Sequence, residues 1–127
     1  MSISELLRWQ YAGYEQFHRA RVNLLLHIVV VPLFLVANVA LIVACVRRDW
    51  VMVVIAAVSM VVAVAMQGRG HGREENPPQP FSGPANAVAR IFFEQWVTFP
   101  RFFFSGGWAR ALRRAGNAVT SESQANS

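Results

Sequence analysis

The chain has no lysine, one cysteine and few charges of either sign. With Cys45 alone, no disulfide can close within the chain and no cysteine-rich metal site can form, so a small buried apolar filler is expected there. Charged residues make up 15% of the sequence, against about a quarter in soluble domains. The apolar share is 54%, which points toward a membrane protein. All the positive charge behind the formal +5 comes from twelve arginines. They flank apolar runs instead of clustering on one polar face, which argues against nucleic acid as a partner and for lipid headgroups. No internal repeat is present. No serine lies in a nucleophile-elbow pattern, which sets aside a serine hydrolase. At 127 residues the chain is expected to form one domain.

Two long apolar runs dominate what is there. Leu24 to Val46, "LLLHIVVVPLFLVANVALIVACV", holds no charged residue, and as a helix its 23 positions reach about 34 Å, enough to cross a bilayer with some tilt. Pro32 is expected to kink it, which bilayer helices tolerate. After the short turn "RRD", Trp50 to Met66 forms a second run of about 25 Å, at the short end of the spanning range. The pair reads as a helical hairpin with spans at about 24–46 and 50–66. Ala40 with Ala44, and Ser59 with Ala63, have the spacing that lets helices approach closely. The polar stretch before the first run argues against a cleaved signal peptide. Arginines outnumber on the side of the two termini, so both termini are predicted to be cytoplasmic.

From Val88 to Phe104 the chain reads "VARIFFEQWVTFPRFFF". Phe92, Trp96, Phe99 and Phe103 recur on one helical face, with Glu94, Thr98 and Arg101 on the other. An interfacial amphipathic helix over about 86–104, broken near Pro100, is expected. The fold class is therefore all-α: a two-helix transmembrane hairpin with interfacial amphipathic helices. A single membrane domain would fill residues 1–115, and the polar tail 116–127 is expected to be disordered.

The three histidines, His18, His27 and His71, fall on one side of the membrane by this topology. With Glu74 and Glu75 they supply the ligand types of a non-haem ferrous site or a zinc site. Spacing sets a limit, because nine residues of straight helix would hold His18 and His27 about 13 Å apart on roughly opposite faces. Either the helix breaks between them, or a homo-oligomer supplies one histidine from another protomer, or one of the three is not a ligand. No glycine or proline from Arg19 to Leu26 forces a break. Asn23, four residues before His27, is a candidate for orienting that imidazole. Arg69 and Arg73 are candidates for holding a carboxylate or anchoring to headgroups.

"YEQFHRARVNLLLHIVVVP" carries Tyr14, His18, Asn23, His27 and Pro32, and "QGRGHGREENPPQPF" adds Gln67, Gly70, His71, Asn76, Pro78 and Phe81. Together, and separated by an apolar hairpin, they resemble the 2-hydroxy fatty acid dioxygenase family over Tyr14 to Phe81. The resemblance implies an iron(II)-dependent oxygenase that shortens a 2-hydroxy fatty acid by one carbon. Its iron ligands would be His18, His27 and His71, its partners dioxygen and a fatty acid or membrane lipid. The acidic residue of the pattern falls on either Glu74 or Glu75, and Gln67 joins Asn23, Arg69 and Arg73 as a candidate for substrate contact. The competing readings are a non-enzymatic membrane anchor that binds lipid or a partner, and a zinc-dependent lipid hydrolase.

Overall fold

The computed structural model describes every residue from Met1 to Ser127, and all regular elements are helical. Helix α1 spans Ile3–Gly13 and a 3₁₀ turn spans Glu15–Phe17. Helices α2 (Arg21–Arg47) and α3 (Trp50–His71) follow, then α4 (Pro84–Phe93), a π turn (Glu94–Thr98), α5 (Phe99–Phe104) and α6 (Gly107–Ala125).

Local chemistry sets several boundaries. Ser2 and Glu5 form a reciprocal capping box at the start of α1, satisfying two orphan backbone donors. At the tip between α2 and α3, Arg48 takes the left-handed conformation (φ 57°), and the Asp49 carboxylate accepts from the Met52 N–H at 3.1 Å. "RRD" thus closes one helix and caps the next. Pro100 lacks the N–H that would bond the carbonyl of residue 96. The ladder before it widens, with the Phe99 N–H donating to the Glu94 carbonyl five residues back, and this π turn redirects the side chains of residues 94–98.

Helices α2 and α3 run antiparallel along a seam with a seven-residue period. Asn23, Val30, Ala37 and Ala44 are buried on α2, and Ala56, Ala63 and Gly70 on α3. Gly70 meets Asn23, and Ala63 packs with Val30 and Phe34; the same step sets Ala37 opposite Ala56. A heptad of small residues gives coiled-coil packing at close range. Of the small residues expected to permit it, Ala44 and Ala63 are buried, while Ala40 and Ser59 sit at the edge of the seam.

The remaining helices gather at one end of this pair. Tyr14, Leu24, Val31, Phe99, Phe102, Ala111 and Ala115 form the larger core, joining the end of α1 and the first half of α2 to α5 and α6. At Gly107 a Cβ would lie 2.6 Å from the Phe102 ring, so glycine is required for α6 to turn back so closely. The tip end has no third layer, and Val39, Ile42, Val51, Val54, Val58 and Val61 are exposed there. Cys45 is likewise exposed instead of filling a core, because nothing packs over the outer faces of two isolated helices. Both α2 and α3 are long and apolar enough to cross a membrane.

Two local expectations change. Residues 116–125, whose composition favours disorder, continue α6 to Ala125, with the Thr120 and Ser121 hydroxyls donating to the carbonyls of Gly116 and Asn117. The polar face expected of the aromatic segment points inward in part: Gln95 and Thr98 are buried and Glu94 is half-buried, whereas Phe92, Trp96 and Phe103 are exposed.

Candidate metal centre

The chain breaks between His18 and His27 without glycine or proline, through a tertiary contact. The 3₁₀ turn ends at Phe17, and α2 starts afresh at Arg21 with Ala20 as its N-cap. The Glu74 carboxylate, arriving from beyond α3, accepts from the N–H groups of Arg19 and Ala20 at 2.9–3.0 Å and from the Asn23 side-chain amide at 2.8 Å. It supplies the acceptors that a helix start lacks and places a negative charge on the positive end of α2. The break replaces the separation expected for one straight helix with contact between the rings.

His18, His27 and His71 come together, their ring centroids 4.7–5.0 Å apart. The His18 Nδ1–H donates to the Tyr14 carbonyl at 2.7 Å and the His27 Nδ1–H to the Asn23 carbonyl at 2.9 Å. With the proton on Nδ1, each Nε2 carries its lone pair inward. Both Nε2 atoms, and Nδ1 of His71, are buried without a hydrogen-bond partner. An unpaired buried polar atom costs about 1–3 kcal/mol, so three such ring nitrogens gathered in one cluster call for a shared partner that takes up electron pairs, as a cation does.

The fourth member is Glu94, from the π turn. Its Oε1 lies 3.7 Å from Nε2 of both His18 and His27, and the four donor atoms all fall within 4.8 Å of one another. Metal–ligand bonds of about 2.0–2.2 Å set tetrahedral partners about 3.4 Å apart, so a small divalent ion fits once the farthest of these atoms close in by about an ångström or more. Burial pushes the Glu94 carboxyl up, but the surrounding imidazoles in their protonated form, His18 first and then His27 and His71, outweigh it and bring its pKa from 4.5 to about 2. It is a carboxylate at neutral pH. The Tyr14 hydroxyl donates to Glu94 at 3.2 Å while its ring stacks on His18 at 3.8 Å. Burial, then the Glu94 charge, raises the Tyr14 pKa well above its usual 10, so the phenol keeps its proton and remains a donor.

The other residues singled out in the sequence lie outside this cluster or beside it. The carboxylate of Glu74 is taken up at the start of α2, and Glu75, Arg69 and Arg73 are exposed. Asn23 serves His27 through its backbone carbonyl, its side-chain amide donating to Glu74 and more weakly to Phe17. Gln67 pairs reciprocally with Gln95, at 2.9 and 2.7 Å. Glu94 and Gln95 were not legible as site residues, because an acid and an amide in an aromatic helix first suggest its solvated face. The available signal was their presence, six and five residues ahead of Pro100, inside an otherwise apolar run.

A cavity of about 520 Å³ opens beside the cluster. His18, His71 and Glu94 form its polar end, and Trp9, Phe17, Val64, Phe81 and Ile91 contribute apolar wall. The Arg90 guanidinium lies over the Trp9 and Phe81 rings and donates to the carbonyls of Gln79 and Pro80, tying the segment after α3 across this space. The site can thus hold a cation at one end and an apolar chain at the other.

Residues 5–100 match the family model described as 2-hydroxy-palmitic acid dioxygenase Mpo1-like. No curated protein and no solved structure matches the chain.

Proposed function

Because the chain belongs to the 2-hydroxy-palmitic acid dioxygenase Mpo1-like family, we propose that it is a membrane-embedded, iron(II)-dependent dioxygenase that shortens a 2-hydroxy fatty acid by one carbon. The observation that carries this reading is the convergence of three unpartnered imidazole nitrogens and one carboxylate beside an apolar cavity. His18, His27, His71 and Glu94 hold the ion. Ferrous iron so held supplies the redox chemistry with dioxygen that no protein side chain here provides.

The chain's own groups do the rest. The carbonyls of Tyr14 and Asn23 fix the His18 and His27 tautomers. Tyr14 orients Glu94 and covers one face of His18. Glu74, by ending the turn before α2, keeps His18 and His27 within reach of each other. An α-hydroxy carboxylate offers two adjacent oxygens to a metal, and the apolar wall receives its chain while excluding water.

The bare tip end suits a bilayer, because exposed apolar helices that would aggregate in water are solvated by lipid. Phe92, Trp96 and Phe103 then face the interfacial layer, and Arg69 and Arg73 face headgroups at the same end. Both termini lie on the cytoplasmic side in this arrangement, and a reporter fused after Ser127 that reads as extracytoplasmic would overturn it.

Metal analysis after anaerobic reconstitution tests the chemistry. Iron near one equivalent, with turnover of a 2-hydroxy fatty acid to the acid or aldehyde one carbon shorter, is the expected result. Zinc retained in preference to iron would favour hydrolysis on the same ligands, and no retained metal would remove both readings.

A further inference from the structure

Gly68 lies within α3, four residues after Val64 and three before His71, and all three line the cavity. Positions i, i+4 and i+7 share one helix face, so the cavity follows α3 from the imidazole end toward its apolar stretch. A glycine inside a helix weakens it relative to alanine and calls for a reason. Gly70 has one: a Cβ there would run into the Asn23 amide of α2. Gly68 has none of that kind. A Cβ at this position would meet nothing within 4 Å, and its backbone is ordinary helix. Gly68 is exposed, so what the missing side chain leaves free is open space at the mouth of the cavity it lines.

The surrounding walls match an amphiphile. The candidate metal-ligand atoms on this wall come from His18, His71 and Glu94, while on the α3 side Val64 presents hydrocarbon, joined by Ile91; Gln10, Gln16, Gln79 and Arg90 add polar groups elsewhere in the lining. Between them Gln67 and Gln95 spend a donor and an acceptor each on one another, which lowers the cost of passing an apolar chain over them. The distance from His71 to Val64 is about 10 Å along the axis, shorter than an extended hexadecanoyl chain, so a long tail must leave past Val64.

We propose that Gly68 is the notch through which the alkyl tail of the bound hydroxy acid leaves the metal centre along α3, and that the absence of a side chain there determines which tails are accepted. This rests on the reading of the centre as a site that holds a hydroxy acid by its head. It makes Gly68 a specificity-determining residue that touches neither metal nor headgroup.

The test separates the two. Protein loaded with cobalt(II) is titrated, in detergent micelles, with 2-hydroxybutanoate and with 2-hydroxyhexadecanoate, and binding is read from the visible spectrum of the metal. In Gly68→Leu the long acid should bind about ten- to a hundredfold more weakly while the short acid binds as in wild type. Loss of neither acid, or equal loss of both, overturns the notch. A wild-type spectrum that responds to neither acid overturns the reading of the centre and the notch with it. Gly68→Ala guards against misfolding of the larger variant: it should unfold at or above the wild-type temperature and show a smaller weakening selective for the long acid. If it unfolds earlier, or shows no selectivity, the notch is overturned as well.

Discussion

The two ends of the α2–α3 pair are built on one heptad seam and differ in almost everything else. At the open end the seam carries Asn23 against Gly70, and the layer around it holds His27 and Gln67, polar groups buried where the π turn, α5 and α6 pack on the pair. At the tip it carries Ala37, Ala44 and Ala56, and the outward faces are valine and isoleucine exposed on all sides. Polar side chains lie inside where protein covers the pair, and apolar ones lie outside where nothing does. The same backbone pairing therefore stands bare at one end and holds the histidine and Glu94 cluster at the other.

The largest effect should come from removing a ligand at the open end. His27→Ala takes away one of the four proposed donors, and metal affinity should fall by more than the about 10–100-fold usual for losing a residue that only orients a ligand. Metal content by mass spectrometry checks this, and full retention would show that His27 holds no ion. The matching change at the tip is Val58→Arg, at a residue 56% exposed. If lipid covers this end, the charge costs about 2.5–3.5 kcal/mol of insertion free energy, visible as a reduced membrane-inserted fraction. An unchanged fraction would place the tip in water.

Smaller effects sharpen how the open end is held. Glu74→Ala should destabilise the protein by about 0.5–2 kcal/mol, as loss of a helix cap does. It should also loosen metal binding by about 10–100-fold, because His18 loses its fixed position. Glu75→Ala, at an exposed residue, should do neither, and equal behaviour of the two variants in thermal melts and metal titrations would remove Glu74 from its role.

The smallest expected effect is on pH dependence. The Glu94 carboxyl titrates at about 2 in the folded chain against an ordinary 4.5. Its folded pKa is depressed, so the stabilisation it brings is complete above 4.5 and is lost as pH falls toward 2. Urea melts of the metal-free protein should therefore weaken more steeply across that window in wild type than in Glu94→Gln. Parallel curves would show that the carboxylate gains nothing from the imidazoles.

The sequence by itself determined the two apolar helices, the turn between them, the proline-marked break in the aromatic segment and the histidines as candidates for shared chemistry. These rest on run length, local periodicity and the backbone limits of proline, which act within a few residues. Only the tertiary structure decided which carboxylate faces the imidazoles. Glu74 and Glu75 are the acids nearest His71 in the chain, yet Glu74 is drawn to the exposed N–H groups at the start of α2, and Glu94 reaches the cluster from a π turn docked 23 residues further on. The break that lets His18 approach His27 is of the same kind. Nothing between them is a helix breaker, and the chain opens there because a carboxylate distant in sequence satisfies its backbone. Ligand type is a property of single residues, whereas ligand geometry depends on long-range packing that no local pattern encodes.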